Sequence, residues 1–117
     1  MRNKAHIYHF PRLDNLELLV ADFSVQRFDA HWHDTWSVGV VLTGAHDNSP
    51  KANGDGLVAP GQVTIIHPGE VHAGVVVSET ACKYLMLYPS HAVVLEALEQ
   101  TGSRIASVPS GGHCKVC

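Results

Sequence analysis

From residue 16 onward, short apolar runs alternate with turn signals about every eight to twelve residues. LELLVADFSV, residues 16–25, is apolar and partly alternating, which predicts a strand. Residues 27–30 predict a second short strand, before His31-Trp32-His33-Asp34 interrupts the apolar pattern. WSVGVVLT, residues 36–43, is rich in β-branched side chains and stops at Gly44. Gly39 inside that run predicts a bulge or a close backbone approach. Residues 45–56 are polar and turn-rich, and residues 57–59 make a short apolar return. Pro60-Gly61 and Pro68-Gly69 are turn signals: Pro presets φ, and Gly accepts the positive φ of the next position. Strands are predicted between and after them at 63–67, 71–77 and 83–88, with Val63 and Ile65 on one face of the first.

A helical period appears only at residues 90–101. Ser90 is placed to cap its start, Val94, Leu95 and Leu98 share one face, and Gly102 is placed to close it. A helix this short is marginal alone, so its apolar face is expected to pack on the chain's own sheets. Residues 1–15 are polar and contain Pro11, which predicts an extended arm, and residues 103–117 lack any period and predict an irregular tail. Six or seven strands followed by one helix predict a mainly β chain, an antiparallel sandwich or barrel. Jelly-roll barrels of this size enclose a cavity at one mouth.

Composition narrows the function. The 117 residues suit one domain, and 45% hydrophobic with 16% charged residues excludes a disordered or collagenous chain. Eight basic against 11 acidic residues leave a net charge of −3, with no cationic excess to hold nucleic acid or anionic lipid. No apolar run approaches the roughly 20 residues of a membrane span, and MRNKAHIYHFPRLD lacks the apolar stretch of a secretory signal. A cytoplasmic protein with no membrane partner is therefore expected. Cys82 lies in an apolar run and is expected to be a small buried hydrophobe. Cys114 and Cys117 form a C-x-x-C beside His113. Without a second pair, that is a weak metal or redox signal.

Histidine carries the chemistry. There are nine, and His31, His33, His46, His67 and His72 fall in the strand-rich region. Residues i and i+2 of a strand share a face, so His31 and His33 present two imidazoles together. Gly69 permits a tight turn that swings His72 toward them. Three convergent imidazoles suit a divalent transition metal, Zn²⁺, Ni²⁺ or Fe²⁺, with coordination positions left open. The same histidines also suit the wall of a wet pocket, hydrogen-bonded to backbone and free of metal; spacing leaves both readings open. Trp36 is placed either to stack on a ligand or to pack at a strand start. Tyr84 alternates with Leu85, so it faces either a cavity or the core. Asp34 is placed to orient an imidazole or to cap a turn. The ligand-binding candidates are thus His31, His33, Trp36, His72 and Tyr84, the metal candidates are His31, His33 and His72, and no residue is assigned a catalytic role.

HWHDTWSVGVVLTG, then APGQVTIIHPGEVHAG, then YLMLYP resemble the N-terminal effector-binding domain of AraC-type transcription regulators, over about residues 16–100. The resemblance implies a cupin, an antiparallel jelly-roll β-barrel with one C-terminal helix, here residues 16–102. It implies a small-molecule effector in the barrel and a homodimer. In that family a separate pair of helix-turn-helix motifs binds DNA. This chain stops where the linker to that half would begin, so no direct binding of nucleic acid is expected of it. Where the family has an aromatic-rich strand, this chain has AHDNSPKANG, which predicts a lost or frayed strand. Metal enzymes of the wider cupin superfamily carry H-x-H, a Glu shortly after it, and a distal His. His31, His33 and His72 match the histidines, but Ser37 and Val38 occupy the Glu positions. The alternative implied is a small metal-dependent cupin enzyme on the three-histidine site. Glu70 or His67 takes the place of its missing carboxylate ligand only if their turn points inward.

Overall fold

The structure is a computed structural model, and it describes residues 3–24, 27–49, 56–102 and 114–116. Among the described residues, ten strands make two antiparallel sheets. They are β1 (Lys4–Phe10), β2 (Leu16–Phe23), β3 (Arg27–His31), β4 (Ser37–Thr43) and β5 (His46–Asp47). Then follow β6 (Leu57–Val58), β7 (Val63–Ile66), β8 (His72–Val76), β9 (Cys82–Tyr88) and, after the helix α1 (His91–Gln100), β10 (Cys114–Val116). The larger sheet runs β1-β2-β9-β4-β7-β10 and the smaller β3-β8-β5-β6.

The two sheets meet over Ala21, Val41, Cys82 and Tyr84 from one and Val58 and Val76 from the other, with Leu19, Phe23 and Met86 packed against them. Removing this apolar surface from water holds the sandwich together. Strand parity decides which residues take part. On β9, Cys82 and Tyr84 turn inward while Lys83 is exposed. On β4 the buried residues are Ser37, Gly39 and Val41, whereas Val38 and Val40 are half-buried on the opposite face. Burial on β7 likewise favours Thr64 and Ile66 over the apolar pair Val63 and Ile65. Gly39 marks the expected close approach: a Cβ there would lie 2.6 Å from Met86 Sδ and 2.9 Å from the Leu85 carbonyl oxygen. The register shift falls instead between Val41 and Thr43. Cys82 is fully buried, and burial first, then the Asp22 charge, pushes its thiol up to about 11.

Four expectations are corrected. The N-terminal arm is an edge strand: β1 pairs with β2 along its whole length, from Lys4↔Asp22 to Phe10↔Leu16. All of β1 is exposed, so no buried face announced it. The reversal into β2 uses left-handed Asp14 and Asn15, at φ 56° and 57°, a conformation these short polar residues tolerate. Second, the tail is not wholly irregular, because β10 pairs with β7 from Cys114↔Ile65 to Val116↔Val63. Residues 103–113 and Cys117 lie outside the described residues, so the C-x-x-C reading does too. Third, His31 and His33 do not share a strand, because β3 ends at His31.

The fourth concerns the helix. Ser90 caps it as expected, its Oγ accepting from the Val93 N–H at 3.2 Å, and the Gly102 N–H donates to the Glu99 carbonyl at 3.0 Å. The expected packing is only partial: Val94 and Leu98 are half-buried, no residue of α1 is fully buried, and Leu95 remains 40% exposed. The helix is tied at its start, where Ser90 Oγ donates to Asp14 Oδ2 at 2.6 Å and Trp36 Nε1 donates to His91 Nδ1 at 3.2 Å. The strand expected to be lost or frayed is the two-residue β5, and residues 50–55 lie outside the described set.

Candidate metal centre and ligand cavity

Between the sheets lies a cavity of about 510 Å³, within the usual range for small-molecule sites. His31 closes β3, His72 opens β8, and the two are register partners. His33 lies beyond the strand end, and its carbonyl accepts the Gly69 N–H at 2.8 Å. That bond ties the H-x-H segment to the turn that delivers His72. Gly69 sits at φ 78°, and the Glu70 N–H closes the turn onto the His67 carbonyl at 3.1 Å. The ring centroids are 4.9 Å apart for His31–His33, 4.4 Å for His31–His72 and 5.2 Å for His33–His72. One donor nitrogen from each lies within 4.8 Å of the others.

The outer bonds orient these rings. His72 Nδ1–H donates to the Glu70 carbonyl at 3.1 Å, and His31 Nδ1–H donates to the Asp29 carbonyl at 2.7 Å. A carbonyl only accepts, so each Nδ1 carries the proton and each Nε2 is left with a lone pair for a metal. Burial, then the charge of His31, pushes His33 down, toward the neutral form that ligation requires. Three imidazoles at about 2.0–2.1 Å from a metal place their nitrogens about 3.3 Å apart. The triad fits that geometry after a modest closing of its side chains.

Other expectations divide. Tyr84 lines the cavity. Trp36 does not: it is 4% exposed, its ring lies 4.6 Å from that of His67, and His91 stacks on it at 6.2 Å. It precedes the inward-facing Ser37, so parity turns it to the opposite face of the sheet from the cavity, where it is buried against His67 and His91. Glu70 faces His67, with Oε1 3.2 Å from Nδ1, and is not part of the metal-holding group.

The structure adds Tyr88, His46 and Asn48 to the cavity wall. Tyr88 lies 5.4 Å from His33 by ring centroid; burial first, then Tyr84 and Glu17, push its phenol up to about 12. It stays a neutral hydrogen-bond donor beside the triad. Its spacing of four from Tyr84 was the available signal. His46 is 7% exposed, and Nε2 has no hydrogen-bond partner among the described residues. A buried polar atom left so costs about 1–3 kcal/mol. Burial pushes His46 down, against a hydrogen bond with the Asn48 side chain and the charge of Asp47.

That direction sets a pH dependence. A histidine held below its ordinary value binds fewer protons folded than unfolded, so stability rises with pH where the unfolded chain is protonated. The contribution is complete above the unfolded value of about 6.5 and is lost as pH falls toward the folded value. Melting temperature should therefore fall on acidification below about pH 6.5, and less steeply in His46→Gln. Equal slopes in both proteins would contradict this.

The family model for the AraC-like ligand binding domain matches residues 15–113. The chain belongs to that family. Solved structures place this AraC-like domain among cupin folds. A cupin-like protein of unknown function from Ralstonia eutropha aligns with a TM-score of 0.59 at 13% identity, covering 92% of this chain and 83% of that one. A chain of the Rhodobacter sphaeroides SigE–anti-sigma ChrR complex aligns at 0.59 and 16% identity, covering 74% of this chain and 44% of that one. Bacillus subtilis oxalate decarboxylase, a protein with Mn(II) centres, aligns at 0.57 and 13% identity, covering 86% of this chain and 33% of that one. The AraC-like domain thus spans less than half of the latter two chains. No curated protein matches the sequence. Among the described residues, no helix is long and apolar enough to cross a membrane.

Proposed function

We propose that this AraC-like domain is a cytoplasmic sensor of a small-molecule effector, acting in transcription regulation, with a divalent transition metal held by His31, His33 and His72 as part of its binding site. The observation that carries the reading is the convergence of three imidazoles on one side of a largely apolar cavity, two of them with Nδ1 fixed by carbonyls. Such a metal supplies a Lewis-acidic point for an oxygen of the ligand. Tyr84 and Tyr88 flank the ligand from the facing sheet, and the neutral Tyr88 phenol donates to it near the triad. Trp36 acts from outside the cavity, holding the first residue of α1 in place. The exposed Leu95 and the half-buried Val94 and Leu98 beside it support dimerisation through α1.

The test is metal content by mass spectrometry of untagged protein beside His31→Ala/His72→Ala. Near-stoichiometric metal in the native protein and none in the variant is expected. No metal in either, or equal metal in both, would overturn the metal-bearing site.

A further inference from the structure

We propose that the cavity has a second polar pole, formed by His46 with Tyr84, so that its ligand is elongated: a metal-coordinating group at one end, an apolar body, and a neutral hydrogen-bonding group at the other. This rests on the triad reading above and specifies the ligand it admits.

The strand registers set the two poles apart. On β8, His72 pairs with His31 while Val76, four residues on, pairs with His46. Four residues of strand span about 13 Å. On the facing sheet, Tyr88 and Tyr84 are separated by the same four residues of β9. The cross-sheet contacts keep the order: Tyr88 lies 5.4 Å from His33, and Tyr84 lies 5.3 Å from His46, by ring centroid. Each end of the cavity therefore carries a phenol facing an imidazole. Leu19, Ala73, Gly74 and Met86 form the apolar wall between them.

The far pole is built and rigid. Asp47 Oδ1 accepts from the Ser49 N–H at 2.9 Å and from its Oγ at 2.7 Å, and the Ala73 N–H donates to the Asn48 carbonyl at 3.1 Å. Among the described residues, Nε2 of His46 is a buried atom that has no hydrogen-bond partner. Buried as well as unpartnered, it is the atom that a turn of the His46 ring offers to a ligand in the cavity this residue lines. No Lys or Arg is among the described residues lining the cavity. A second carboxylate at the far end would find no counter-cation there, whereas a hydroxyl, carbonyl or amide satisfies His46.

The probe is a set of straight-chain hydroxamic acids of graded length, ending in methyl, hydroxyl or carboxylate. Each is titrated calorimetrically into the zinc-loaded protein. At one chain length the hydroxyl compound should bind about tenfold tighter than the methyl compound, and the carboxylate weaker than either. The hydroxyl-to-methyl ratio should fall to near unity in His46→Leu and in Tyr84→Phe, whatever their absolute affinities. Tyr84→Phe removes only an oxygen and decides the matter if His46→Leu does not fold by circular dichroism. No hydroxyl gain at any length, or a gain that survives Tyr84→Phe, overturns the second pole and leaves the metal site standing. A short hydroxamate that binds equally well to zinc-loaded and chelator-stripped protein, or to neither, overturns the metal-anchored reading and the second pole with it.

Discussion

His72→Ala should lower the affinity of the domain for a divalent transition metal by at least about a hundredfold. Outer-sphere partners of a metal-binding histidine alone are worth about 10–100-fold, and this substitution removes the ligand itself. His72 is the most constrained of the three: 7% exposed, placed at the start of β8, and fixed through Nδ1 to the Glu70 carbonyl. His31 and His33, left alone, lose the third donor that closes the site. His6, on the exposed β1, provides the control, and His6→Ala should leave metal affinity unchanged. Competition against a chelating indicator measures both. Native-like affinity in a folded His72→Ala would place the metal elsewhere.

Gly44→Ala should cost about 3 kcal/mol of folding stability, the sum of a left-handed residue and an overpacked contact. Gly44 ends β4 at φ 77°, and a Cβ there would meet the Ala81 carbonyl oxygen at 2.7 Å and Cys82 Cα at 2.8 Å. These are backbone atoms of the segment entering β9, so neither can rotate aside. The neighbouring bonds reinforce the position: the Ala45 N–H donates to Ser78 Oγ at 2.9 Å, and the Val77 N–H donates to the Ala45 carbonyl at 3.1 Å. Gly61 also has a positive φ, 86°, but nothing lies within 4 Å of its Cβ direction. Gly61→Ala should therefore cost only about 1 kcal/mol, from backbone conformation. In thermal melts, Gly44→Ala should fall by roughly 10 °C. Equal melting of the two variants would show that the packing around Gly44 is looser than described.

The sandwich was legible because most strands carry apolar runs closed by Gly or Pro-Gly turns, and turn chemistry and burial act locally. The triad was legible for a related reason: a glycine turn restores proximity to a histidine pair. The parity argument behind it was incomplete, because His33 is placed by the bond from Gly69 to its carbonyl and not by strand pleat. The facing of β4 was not legible. Its interior residues are Ser37, Gly39 and Val41, a set in which only one side chain is large and apolar, so the run WSVGVVLT does not tell which face Trp36 takes. β1 was missed because backbone bonds to β2 hold it, and no side chain in it is buried. His46 was seen as one histidine among nine. Only the pairing of β5 with β8 shows that it faces Tyr84.

X-ray absorption at the metal edge of the purified protein tests the central claim most directly. The account predicts three imidazole ligands at about 2.0–2.1 Å with oxygen ligands completing the shell, and a change in that oxygen shell when a short hydroxamate is added. A sulfur shell near about 2.3 Å would mean cysteine ligation, and fewer than three imidazoles would dissolve the triad; either result would contradict the account.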